Sequence, residues 1–163
     1  MKLLRIGVVI LLIGASLLVA TNLRARSVSS GRVGSFNGLF GPFLFEPRKI
    51  IIVLLEVEPS ENLTMAVVNH HSWNPTQDIG EADPAFVLSG LRQADAVVFK
   101  IGVRGLYYVV VTTETGELTG ETDLAVEQRG FAEDLLWASG VLTAVGIVIV
   151  VVQWVRSLRR LDT

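Results

Sequence analysis

The residues with the richest chemistry lie in one short stretch. His70 and His71 are the only histidines, in Asn69-His70-His71-Ser72-Trp73, and Asp78, Glu81 and Asp83 follow in a segment punctuated by Pro75 and Pro84. Imidazole nitrogens with a carboxylate suit zinc or copper. Neighbouring strand residues point to opposite faces, so both histidines reach one ion only where a turn or bulge re-aims them. His70, His71, Asp78 and Asp83 therefore form a candidate metal set, beside the plainer reading of surface histidines next to a loop. The acids do not follow the calcium-loop spacing.

Signals for catalysis are weaker. Ser72 and Ser139 sit in no nucleophile-elbow context. Glu56 with Glu58, and Glu121 with Asp123, share strand faces at period two, which suits acid–base work and equally suits a solvated face. The chain has no cysteine, so disulfides, thiolate nucleophiles and zinc–thiolate sites are excluded. No glycine-rich phosphate loop precedes a helix. These features predict no catalytic residue and no resident cofactor, and they make a small-molecule substrate an unfavoured partner. One modification signal exists, the sequon Asn62-Leu63-Thr64; Asn74-Pro75-Thr76 is disqualified by its proline.

The elements that must position these residues are dominated by two uncharged segments, 6–23 and 135–155, in a chain of 163 residues that is 50% hydrophobic. The second covers about 30 Å as a helix, the thickness of a hydrocarbon core. Trp137 and Trp154 stand near its ends, at the depth where aromatic belts form. The first, preceded by Lys2 and Arg5, reads as a membrane anchor. A cleaved signal is the alternative, disfavoured because Leu18 would occupy the third-last place before a cut after Ala20. Basic side chains dominate both tails, whereas residues 24–134 carry nine basic and fifteen acidic side chains. The positive-inside rule then predicts two crossings with both termini cytoplasmic and residues 24–134 outside. The acidic balance of that domain disfavours nucleic acid. Arg156, Arg159 and Arg160 are expected to pair with lipid headgroups.

Small residues recur at four-residue steps in both spans: Ser16 and Ala20 in the first, then Ser139 with Thr143, and Gly140 with Ala144, extended by Gly146. Gly7, Gly14 and Ala15 have the same character. Small residues let helix backbones approach in lipid, where apolar area alone drives no association, so they are assigned to packing within the pair or against another subunit. No ionisable side chain lies inside either span, which argues against a proton path or filter built from this chain alone.

Between the spans, strand signals dominate. Lys49–Val57, Asn62–Asn69, Ala85–Leu88, Ala94–Val103, Leu106–Thr113 and Leu118–Glu127 predict six or seven strands, a small antiparallel β-sandwich, immunoglobulin-like only loosely. Val97, Phe99, Ile101 and Val103 are expected on one face. Leu106–Thr113 is expected to be buried on both sides, and Asp123–Asp134 to turn helical as a neck. Phe36, Leu39, Phe40 and Phe43 form either a flap over the core or an apolar tongue against a partner or membrane. The organisation expected is an inner tail (1–5), a membrane helix (6–23), an outer sandwich (24–134), a second helix (135–155) and a basic inner tail (156–163). The function expected is that of a non-catalytic accessory, scaffold or assembly subunit of a larger membrane complex, in contact with lipids and other membrane subunits. A membrane-anchored binding or metal-handling module is the alternative.

Overall fold

The computed structural model describes residues 2–26, 29–35, 37–58, 62–73, 83–117 and 119–159. The chain divides into two compact units, one formed by residues 1–27 with 131–163 and the other by residues 28–130.

The first unit is a pair of helices, α1 (Lys2–Arg26) and α2 (Glu133–Arg159). Both are long and apolar enough to cross a membrane. Their 25 and 27 residues give lengths of about 38 and 40 Å. Helix α2 opens with Glu133 and Asp134 in its first turn, where carboxylates complement the helix dipole. Gly7 of α1 meets Ile149 of α2, and Gly14 meets Thr143, so the pair is antiparallel.

The second unit contains eight strands among the described residues: β1 (Ser29–Ser35), β2 (Leu39–Phe45), β3 (Lys49–Val57), β4 (Leu63–Asn69), β5 (Pro84–Leu91), β6 (Ala96–Lys100), β7 (Gly105–Thr113) and β8 (Thr122–Arg129). They form two four-stranded antiparallel sheets in the orders β1-β8-β3-β6 and β2-β7-β4-β5. This is a sandwich, and its order is that of an eight-stranded jelly roll rather than the seven-stranded immunoglobulin arrangement.

Alternation builds the core. In β3, Ile50, Ile52 and Leu54 face inward, and the register shift after Leu54 turns Val57 inward in place of Glu56. Phe40, Phe45, Leu63, Met65, Val67, Tyr107, Val109, Val111 and Leu124 complete the packing with Val97, Phe99 and Ile101. Phe86 of edge strand β5 stacks on Phe99 of edge strand β6, with ring centroids 4.6 Å apart, closing one side of the sandwich. Strand β7 is buried on both faces from Tyr107 to Thr112. Its outward Tyr108 and Val110 join Val68 and Trp73 in a second apolar cluster, with Leu39 and Ala66 packed against it.

Two expectations are corrected and a third is narrowed. Strand β6 ends at Lys100, and the following turn throws Val103 outward, away from Val97, Phe99 and Ile101. The segment expected to form a helical neck is strand β8 as far as Arg129, because Leu124 and Val126 are needed in the core. Of the two readings of the phenylalanine stretch, the one over the core fits and the tongue does not, since the stretch is strand β2. Phe40 is buried, Phe43 stacks on Phe45 and Leu39 lies on the second cluster, while Leu44 is the exposed member. Phe36 lies outside the described residues.

Candidate functional site

The helix pair is built on a seven-residue spacing of small side chains. Gly7, Gly14 and Thr21 are the most buried positions of α1; Ser139 and Gly146 are those of α2, with Gln153 half-buried a further seven residues on. Seven-residue spacing keeps one seam facing a partner helix. The seam is close. A Cβ on Gly146 would stand 2.6 Å from the backbone nitrogen of Leu11, and one on Gly14 would stand 2.6 Å from that of Thr143. Only glycine admits such approach.

The seam's hydroxyls are turned back on their own helices. Thr21 Oγ1 donates to the Leu17 carbonyl at 2.7 Å, Ser139 Oγ to that of Leu136 at 2.9 Å and Thr143 Oγ1 to that of Ser139 at 2.7 Å. Each polar group is satisfied without water or a second chain.

The remaining small residues face away. Gly140 has open space where a Cβ would stand, and Ala144 is exposed on the same side. Ser16 and Ala20 are exposed on α1. Thus Ser139, Thr143 and Gly146 meet α1, whereas Gly140, Ala144, Ser16 and Ala20 are left for other contacts. Trp137, 75% exposed, stands one turn before Gly140 on the same stripe. Arg156 is exposed near the end of α2, Arg159 is its last residue, and Arg160 lies outside the described residues.

In the sandwich, the histidines follow β4. His70 turns to Tyr108, with Nδ1 3.1 Å from its hydroxyl, and the Trp73 ring meets Tyr108 edge-on at 5.3 Å. His71 and Asp83 line one cavity of about 460 Å³, with Asn69, Ser72 and Tyr107 on its walls. The two imidazole centroids are 5.9 Å apart. No group of three or more potential metal ligands occurs among the described residues, and Asp78 lies outside them. His71 and Asp83 are therefore brought together, and His70 is directed elsewhere. Asn62 is exposed at the start of β4, in left-handed backbone with φ of 57°.

One acid of each pair, Glu56 and Asp123, meets a common arginine, while Glu58 and Glu121 are exposed. Glu56 stands opposite Asp123 across β3 and β8, and Arg32 bridges them, with Nε 2.9 Å from Asp123 Oδ2 and Nη2 3.8 Å from Glu56 Oε2. Hydrogen bonding and charge from Asp123 hold the Arg32 guanidinium above its ordinary pKa.

A charge cluster that sequence reading missed caps the core at its other end. Glu46, in the β2–β3 turn, is buried. Its Oε1 accepts from Arg104 Nη1 at 2.7 Å, and its Oε2 lies 3.2 Å from Nε of buried Arg48. Gln128 of β8 ties in the same turn, accepting from the Glu46 amide at 3.2 Å and donating to the Leu44 carbonyl at 3.0 Å. No short motif links these residues, because the topology brings them together from three separate segments.

No protein-family model matches the chain, and no curated protein matches it. Solved structures similar to it include a chain of the Bacillus endospore appendages, described as disulfide-linked pili, at 8% identity, 63% coverage of this chain and 87% of that one, with a TM-score of 0.34. The Yersinia pseudotuberculosis-derived mitogen is similar at 7% identity, 64% and 86% coverage and a TM-score of 0.30. A cupin protein from Bacteroides fragilis is similar at 10% identity, 63% and 65% coverage and a TM-score of 0.31. Similarity at this level carries no functional argument.

Proposed function

We propose that the chain is a non-catalytic accessory or assembly subunit of a larger membrane complex. It crosses the membrane twice, with both termini cytoplasmic and the sandwich outside. One observation carries this reading. Helix α2 has two adjacent rows of small residues; α1 uses Ser139, Thr143 and Gly146, and Gly140 with Ala144 faces outward beside Trp137. In lipid, such a low-relief row is where another helix approaches closely. Most other outward positions of the pair are Leu, Val and Ile side chains, among them Leu12, Val141 and Val148, which suit an acyl environment. The hydroxyls of Thr21, Ser139 and Thr143 are bonded within their own helices, which favours assembly over transport.

The test is the native mass and composition of the protein extracted from its own membrane in mild detergent. A fixed larger assembly is expected. Gly140→Leu with Ala144→Leu should release the other chains without unfolding the helix pair, since nothing in the pair touches that face. A monomer, or an assembly indifferent to both substitutions, overturns the reading.

The second reading is a membrane-anchored binding or metal-handling module, favoured by the convergence of His71 and Asp83 on one cavity. It requires stoichiometric metal in the same purified sample, lost on His71→Ala.

A further inference from the structure

Of the chain's asparagines, only Asn62 heads an unobstructed acceptor sequence, Asn62-Leu63-Thr64. The structure also separates it from the other described asparagines of the sandwich. Asn37 Oδ1 accepts from the Leu39 amide at 3.3 Å, and Asn69 Oδ1 from the His71 amide at 2.9 Å, so both side chains hold turns. Asn62 is exposed, and its side-chain amide bonds to no described residue. Its turn is held by the backbone instead: the Asn62 carbonyl accepts from the Glu114 amide at 3.0 Å, at a φ of 57°. Asparagine enters that left-handed region more readily than most residues.

The surroundings leave room for a substituent. Leu63 and Met65 point into the core, so Thr64 between them points outward. Its hydroxyl lies 2.9 Å from that of Ser89, the residue opposite on β5, and Ser89 is exposed. Hydroxyls on the surface beside Asn62 can donate to and accept from a sugar's own. A bulky polar group on the Asn62 nitrogen therefore displaces no core side chain and breaks no bond of the fold.

From the acceptor sequence, the exposure and the unused amide we infer that Asn62 carries an N-linked glycan. The chemistry is a group transfer. The Asn62 side-chain nitrogen bonds to the anomeric carbon of an oligosaccharide carried on a lipid-linked phosphate. The bond from that carbon to the phosphate oxygen breaks, the lipid phosphate leaves with the electron pair, and the nitrogen gives up one of its two protons. Nothing is oxidised or reduced. The inference rests on the sandwich lying outside the membrane, and it adds a covalent group that the assembly reading does not use.

The test uses the full chain made in its own cells and purified from their membrane. Trypsin releases residues 50–92, a stretch without Lys or Arg until its last residue, and mass spectrometry weighs and fragments that peptide. An excess equal to one glycan is expected, placed on Asn62 by fragmentation. Asn62→Gln and Thr64→Ala should each abolish it, whereas Thr64→Ser should keep it, because either hydroxyl completes the acceptor sequence. The Thr64 variants leave the Asn62 backbone as it is, so the comparison does not depend on how glutamine fits the turn. The side of the membrane is read in parallel. The chain has no cysteine, so Val103→Cys, at a position 68% exposed, offers a single thiol to a membrane-impermeant maleimide on intact cells. A peptide of bare polypeptide mass with position 103 labelled overturns the glycan and leaves the outer placement standing. A bare peptide with position 103 labelled only after permeabilisation overturns both. An excess that survives Asn62→Gln puts the added mass on another residue and overturns the inference.

Discussion

Gly146 lies against Leu11 so closely that a Cβ there would stand 2.6 Å from the Leu11 backbone nitrogen and 2.7 Å from its Cα. The obstacle is backbone, which cannot swing aside as a flexible side chain can. Gly146→Leu therefore forces the helices apart. Overpacking of this kind costs about 1–3 kcal/mol. The midpoint of unfolding in a denaturing detergent should fall for Gly146→Leu and stay unchanged for Gly140→Leu. Equal behaviour of the two variants would place both glycines on the same side of α2 and contradict the seam.

The seam hydroxyls make the opposite prediction. Because Thr143 Oγ1 already donates to the Ser139 carbonyl within α2, Thr143→Val keeps the shape and removes only a local bond. The expected change in pair stability is small, below about 0.6 kcal/mol. A loss well above that value in the same unfolding assay would mean that the hydroxyl bonds to another chain.

These two glycine rows also mark the limit of what the sequence discloses. Small residues at four-residue steps announce close helix contact, but Gly140–Ala144 and Ser139–Thr143 are adjacent rows with the same spacing. Only the partner decides which row it takes. The seven-residue recurrence of Gly7, Gly14 and Thr21 was readable and would have singled out the seam. In the sandwich, Lys49–Val57 and Leu106–Thr113 were legible because they combine alternation with β-branched content. Strand β1, Ser-Ser-Gly-Arg-Val-Gly-Ser, carries almost no strand propensity; pairing along β8 creates it, and that is a long-range event. The placement of Val103 failed for a related reason. Alternation continues through Ile101 to Val103, yet Gly102 and the turn that Tyr107 and Arg104 brace end the strand at Lys100.

Burial governs the expectation for Glu46. Its carboxylate faces Arg48 and Arg104 at the closed end of the core, and Glu46→Ala leaves the buried Arg48 guanidinium without that counter-charge. Breaking a buried pair from one side costs about 3–5 kcal/mol. Thermal unfolding of the full chain in detergent should register this loss, nearly independent of added salt. A loss that disappears in high salt would show the cluster to be open to solvent.

The histidine end is decided by which ring lines the cavity, that of His71 and not that of His70. His70 Nδ1 is within hydrogen-bond distance of Tyr108 OH, whereas His71 and Asp83 share the cavity wall. Among the described residues these two are the ligands that share the cavity, and two hold zinc weakly, since closed structural sites use four and catalytic sites three. Zinc titrated into the reconstituted protein should bind weakly and respond to His71→Ala but not to His70→Ala. Tight binding lost equally in both variants would bring His70 into the site and favour the metal-handling reading.

Ala94 offers a prediction of the opposite sign from most substitutions. It sits in the β5–β6 turn at φ of 69°, its amide donating to the Leu54 carbonyl at 2.7 Å and the neighbouring Arg92 amide to Asp95 Oδ2 at 2.8 Å. These bonds hold an L-residue in the left-handed region, where the Cβ costs about 1–2 kcal/mol. Ala94→Gly removes that cost and adds freedom to the unfolded chain worth about 0.4–1 kcal/mol. The balance is a gain of roughly 0.5–1 kcal/mol, read as a raised unfolding midpoint. Asn62, at φ of 57°, is the internal contrast. Asparagine tolerates this region through its own short polar side chain, so Asn62→Ala should lose about 1 kcal/mol. A destabilised Ala94→Gly beside a neutral Asn62→Ala would mean that neither turn holds the left-handed backbone in solution.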